Sequence, residues 1–216
     1  MRAVRIAACV ALLTTLVFCE KHFNPPPAAH ARNYGLHESH DDEKVTIAIE
    51  PCNTPQTAGV FKVNYKGYGL YPVRLIISND SDSTLMLDDM KIEYITARRD
   101  KLEPDSDDDI YRRLVKPHKA DQGQPGLKLP FPVGKKKEPI SAETIDEYHS
   151  AQFQHVPVTA HATNSGYLFF DVLDESPAPG AHLEISGIRA GSKELFYFDI
   201  PFEKAEAPAP PAPAPK

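Results

Sequence analysis

Apolar residues recur at every second position over several stretches of this chain. That spacing sends side chains to alternate faces of an extended backbone. The pattern is clearest from Pro72 to Ile95, where Val73, Leu75 and Ile77 share one face and Arg74 and Ser78 the other. Asn79-Asp80-Ser81-Asp82-Ser83 then supplies turn chemistry, because short polar side chains bond their own backbone. Leu85 to Ile95 resumes the alternation, with a bend or bulge at Asp88-Asp89. The stretch predicts a hairpin of two strands. A calcium loop is the rival reading of the turn, but the central glycine and distal glutamate of an EF-hand loop are missing.

Further strands are predicted on either side. Val45, Ile47 and Ile49 alternate with polar or small residues until Pro51 ends the pairing. Phe61, Val63 and Tyr65 mark a second strand over 59–65, and 157–163 gives a short third. Gly166 to Leu173 is apolar on both faces, as in a central strand. Leu183 and Ile185 face inward over 182–189, and Leu195, Phe196, Phe198, Ile200 and Phe202 populate a closing strand over 193–202. Between these two strand-rich parts the period changes. Asp107 to Val115 predicts a helix with acids in its first turn and Arg112 and Arg113 in its last, an order that complements the helix dipole. A proline- and glycine-rich loop follows over 116–139. Ser141 then caps a second helix running to about Gln154, with Ile140 and Ile145 placed as a hydrophobic staple.

Seven or eight short strands separated by turn signals predict a mainly β fold, an antiparallel β-sandwich. The runs VRLIISNDSDSTLML, SGYLFFDV and ELFYFDIPF resemble strands of the immunoglobulin-like domains found in exported bacterial proteins. The resemblance covers Val45 to Ile95 and Val156 to Phe202. It implies an immunoglobulin-like sandwich, interrupted by an inserted segment of short helices and a long loop at about 98–155. Its motifs are packing patterns and bring no functional residues with them.

The flanks suggest where such a domain works. Arg2 and Arg5 precede thirteen mostly apolar residues, Ile6 to Phe18, which is the order of an export signal and too short for a comfortable membrane span. Residues 1–31 are therefore read as an export segment. Cleavage at or before Ala31 ranks first, on the small-x-small motif Ala29-His30-Ala31. Lipidation at Cys19 ranks second, although Phe18 precedes it where a small residue is wanted, and an uncleaved anchor third. Each leaves the folded part outside the cytoplasm, in the periplasm or cell envelope. Residues 32–44 read as a flexible polar linker, 45–204 as the domain, and 205–216 as a Pro/Ala-rich tail of polyproline type.

Composition narrows the choice of partner. The net charge of −6 argues against nucleic acid and against an anionic membrane surface, so the membrane enters only through the export segment or a lipid at Cys19. Of the three cysteines only Cys52 lies in the domain, so no internal disulfide is available to it.

Candidate chemistry is sparse. His37 and His40, with Asp41 and Asp42, are ligand types that suit zinc or copper. Tyr65, Tyr68 and Tyr71 are candidates for a platform on which a sugar or peptide stacks. Lys135, Lys136 and Lys137 make the long loop a candidate contact surface. No nucleophile elbow, zinc-protease helix, phosphate loop or dinucleotide fingerprint occurs. Paired carboxylates from distant strands would leave no motif. The sequence thus predicts a non-enzymatic exported module without a cofactor, recognising an envelope protein or glycan. The alternatives are a metal-binding protein using the histidines, and an envelope hydrolase.

Overall fold

The computed structural model describes Phe23 and residues 25–115, 142–171 and 179–203. Within them the chain is mainly β, and all strand pairs are antiparallel. The first sheet joins β1 (Leu36–His40), β2 (Val45–Pro51), β3 (Tyr71–Asn79) and β7 (Ala162–Phe170) in that order. The second runs β11 (Phe198–Pro201), β8 (His182–Ser186), β5 (Lys91–Ile95) and β6 (Lys101–Leu102). A small third sheet holds β10 (Lys193–Glu194), β9 (Arg189–Ala190) and β4 (Leu85–Met86). The helices are α1 (Pro55–Ala58), α2 (Asp107–Val115) and α3 (Ala142–Ala151).

The first two sheets face each other in a sandwich-like packing. Their shared core takes Val45, Ile47 and Ile49 from β2, Val73, Leu75 and Ile77 from β3, and Leu168 and Phe170 from β7. Opposite stand Ile92 and Tyr94 of β5, Leu183 and Ile185 of β8, and Phe198 and Ile200 of β11. These are the alternating positions of the sequence, so period 2 sets the register of the core.

The first sheet is covered on its other face too, which is why β3 has no exposed residue and β7 is apolar at successive positions. Tyr167 and Phe169 meet Ile110 and Leu114 of α2, Tyr148 and Ala151 of α3, and Phe61 and Tyr65 in a second cluster. Ile110 and Leu114 stand four apart, so they share one helix face. Ser106 starts that helix, its hydroxyl accepting from the Asp109 amide. Glu147 fastens α3, its carboxylate accepting from the Lys62 and Val63 amides at 2.8 and 3.4 Å. Further along this face, Ala48 and Ile76 lie under a strap made by residues 25–34.

Several expectations change. The two strands of Pro72–Ile95 exist, but they do not pair with each other. β3 already has β2 and β7 on its edges, so the chain crosses to the opposing sheet. Asn79 organises that crossing. Its side-chain amide donates to the Ser83, Val158 and Thr159 carbonyls, and its Oδ1 accepts from the Ser81 amide. The strand expected over 59–65 is absent. Helix α1, started by Thr54 and Pro55, ends just before it, and Asn64 starts a 3-10 turn over Tyr65–Tyr68, ended by Gly69 at φ 76°. Residues 32–44, read as a linker, contain β1, which pairs along its whole length with β2. The closing strand is broken, with Phe196 73% exposed between β10 and β11. Ser141, the 116–139 loop and the 205–216 tail lie outside the described residues.

Candidate functional site

At one side the sandwich is shut by polar groups of β1 and the turn after it. Leu36, Glu38 and His40 lie on the inner face, opposite Ile49, Ile47 and Val45. The His40 ring stacks on Phe198 with centroids 3.9 Å apart. Its two nitrogens stand 3.2 and 3.3 Å from Glu43 and Glu38. Glu38 also accepts from the Asp199 amide, and Glu43 from Lys193 and the Phe196 amide. These groups tie one sheet to the other.

This geometry answers the metal reading. His37 and His40 are three apart on a strand and so point to opposite faces. His37 is exposed and donates to the Tyr34 carbonyl at 2.7 Å. Asp41 pairs with Arg32 at 2.6 Å, and Asp42 is exposed. The four do not converge, and no group of three potential ligands forms among the described residues. The tyrosine platform also dissolves. Tyr71 is buried between the sheets and Tyr65 in the outer cluster, while Tyr68 packs partly buried at that cluster's edge. Lys135–Lys137 and Cys19 lie outside the described residues.

The opposite side of the sandwich is open. There a cleft of about 340 Å³ separates β5 from the edge of β7. Its apolar lining includes Met90, Phe153, Leu168 and Phe169, and its polar lining includes Tyr148 and Gln152. The lining also holds one lysine (Lys91), three carboxylate residues (Glu93, Glu103 and Asp105) and His155. Lys101 pairs with Glu93 at 2.5 Å, whereas Glu103 is exposed and makes no ion pair among the described residues.

Both walls are strand edges, in different states. On β7 the outward carbonyls are occupied: Tyr167 accepts from the Phe153 amide and Phe169 from the Asp105 amide, at 2.9 and 2.8 Å. Gly166 permits this close approach, since a Cβ there would stand 2.4 Å from Phe153 Cα. On β5 the ladder stops early. Thr96 donates to the Asp100 carbonyl at 2.9 Å, and Tyr94 stands opposite Leu102. Hydrogen-bonded pairs alternate in an antiparallel ladder, so Ile92 is the next residue whose N–H and C=O point to this edge. The residue that falls opposite is Pro104, which has no N–H to give, and the chain turns away to β7. Ile92 has no backbone partner on that side among the described residues.

The titratable groups nearby are held by burial and by structural partners. Burial raises the Asp105 carboxyl to about 6, opposed by Arg113 and reinforced by Asp171 and Asp109. Arg113 is committed to Asp171 through both terminal nitrogens. It reaches Asp105 only with Nε at 3.3 Å, in an ion pair not aligned as a hydrogen bond. Cys52 is buried in the outer cluster, and burial, with Glu50 adding to it, pushes its thiol up to about 12. Such a thiol is held protonated at neutral pH, which disfavours nucleophilic attack. Burial likewise raises the phenols of Tyr65, Tyr71 and Tyr148.

No protein-family model, curated protein or solved structure matches this chain. The residues that make the cleft were not singled out by sequence. Pro104, two positions past the end of a strand pairing, was the one available signal, and it becomes meaningful only once the register of β5 and β6 is known.

Proposed function

We propose that this chain is a non-enzymatic recognition module of the cell envelope, and that it binds an extended peptide segment of another envelope protein by strand addition in the open cleft. The observation that carries the reading is the interrupted edge of β5. An incoming strand would bond the Ile92 N–H and C=O, which Pro104 leaves unpaired, and continue the sheet from β6. Main-chain pairing supplies affinity in this mode, and side chains at every second position supply selectivity. Apolar side chains of the ligand would enter between Met90, Phe153 and Leu168, while the surplus of carboxylates favours lysine or arginine on the alternate positions. The partner class is thus a basic, alternately apolar peptide. Among the described residues no helix is long and apolar enough to cross a membrane. Export rests on the charged and apolar N-terminal pattern, and immunoglobulin-like kinship on the resemblance of the strands together with sheets that face each other.

A display library of nine-residue peptides, selected on the immobilised protein, tests this reading. Enrichment of lysine- or arginine-bearing sequences with alternating apolar residues is expected, with binding at least about tenfold weaker to Glu103→Lys, a change of about 1.4 kcal/mol. Selected peptides without that pattern, or with equal affinity for Glu103→Lys, would contradict it.

A further inference from the structure

The motif that suggests cleavage, Ala29-His30-Ala31, has a structural role. A cut after it would leave Arg32 as the first residue of the mature chain. In the fold, Ala31 is fully buried against Ala48 and Ile76. Its amide donates to the Ser78 hydroxyl at 2.8 Å. The His30 ring nitrogen Nε2 stands 3.0 Å from both carboxylate oxygens of Asp80. Further upstream, the Pro26 carbonyl accepts from Arg74 Nη2 at 2.7 Å. Arg74 is 3% exposed, and its carboxylate neighbour Glu50 stands no closer than 3.8 Å. Phe23 stacks on Phe61 with centroids 5.5 Å apart and meets the edge of Tyr167.

These contacts form one strap across the outer face of β2, β3 and β7. The face is written for it. Its positions on β3 are Arg74, Ile76 and Ser78, each matched to a strap atom or side chain. Removing residues up to Ala31 would expose Ile76 and Ala48, strip Ser78 of its amide partner and take away the Pro26 carbonyl that receives the buried guanidinium. Breaking one side of a buried polar contact costs more than the contact itself contributes, because the remaining group stays desolvated.

We infer that the mature domain begins at or before Phe23, and that any export processing, under the export reading proposed above, falls upstream of the strap and spares Ala29-His30-Ala31. The small-x-small motif is then the buried core of the strap. One consequence is spatial. Five residue steps separate Phe18 from Phe23, which reach at most roughly 17 Å when extended. A chain kept at the membrane by its apolar segment, or by a lipid at Cys19, therefore holds the strap face close to the bilayer. The spacer expected over 32–44 is part of the sheet.

Two measurements test this. Intact-mass analysis of the full chain, expressed in an export-competent bacterial cell, locates the first residue. A terminus at or upstream of Phe23, whether free, acylated or uncut, is the expected result. A terminus at Arg32, or anywhere from residue 24 to 32, overturns the inference. Independently of export, chains starting at residue 19 and at Arg32 are produced without the apolar segment and melted. The shorter chain is expected to melt lower by roughly 10 °C or to fail to fold. In the residue-19 chain, Ala31→Glu is expected to lower the melting temperature by a similar amount. Equal melting of the two chains, or no loss from Ala31→Glu, overturns the strap. A full chain found uncut in the cytoplasm would count against export alone, and the melts would still decide on the strap.

Discussion

Phe196 and Phe198 stand two apart in the run Leu195-Phe196-Tyr197-Phe198, and strict alternation would put them on one face. The structure separates them. Phe198 is fully buried in the core between the sheets, under the His40 ring, whereas Phe196 is 73% exposed. The chain leaves the strand at Leu195, whose amide donates to the Ile188 carbonyl, and re-enters it at Phe198. Truncating a buried phenylalanine to alanine loses its transfer energy and leaves a cavity, about 3 to 5 kcal/mol in total. Truncating an exposed one changes stability by about 0.5 kcal/mol or less. With a urea m-value near 2 kcal/mol/M, Phe198→Ala should lower the unfolding midpoint by roughly 1.5 to 2.5 M, and Phe196→Ala by less than about 0.3 M. Equilibrium urea titration followed by circular dichroism reads both. Equal losses for the two variants, or a larger loss for Phe196→Ala, would refute the break between β10 and β11 and the core built on it.

Other groups give separate tests. Gly166→Ala would push a Cβ against the Phe153 backbone, so a loss of about 1 to 3 kcal/mol is expected in the same titration. Cys52 should react with iodoacetamide at pH 8 at least about a hundredfold more slowly in the folded protein than in urea, because its buried thiol is pushed up to about 12. Asp105 gives a pH signature. Its carboxyl is raised from 3.8 to about 6 in the folded protein, chiefly by burial, so the folded state holds a proton that the unfolded chain has released. That contribution to stability is present in full below about pH 4 and is lost as pH rises through about 6. Asp105→Asn should flatten the stability profile between those values, and an unchanged slope would reassign it to other groups.

The core was legible in the sequence because burial on one face of a strand leaves a period of two. Val73, Leu75 and Ile77, or Leu183 and Ile185, are in the core as read. Helix α2 was legible for a different reason: its charges order along the dipole, and both ends carry local signals. Partnership was not legible. The pattern around Asn79 fits a hairpin and a crossing between sheets equally well, and only the long-range pairing of β3 with β7 decides between them. Nor was β1, since Glu38 and His40 fall in the stretch read as a polar linker although they sit on an inner face, held by the Asp199 amide and Phe198. The 59–65 segment misled because Phe61 and Tyr65 suit a strand and a turn packed on a sheet alike. The cleft was invisible for the same reason as the strap. Each is a relation between segments far apart in the chain, such as Arg74 to Pro26 or Ile92 to Pro104.

Strand addition depends on the edge of β5. Amide hydrogen exchange at Ile92, compared with Tyr94 in the same strand, reads it directly. Without ligand, Ile92 is expected to exchange faster than Tyr94, which stands opposite Leu102. Adding a lysine-bearing, alternately apolar peptide should slow Ile92 by at least about tenfold. An Ile92 amide already as protected as Tyr94 in the free protein, or one unchanged when the peptide is bound, would contradict strand addition at this site.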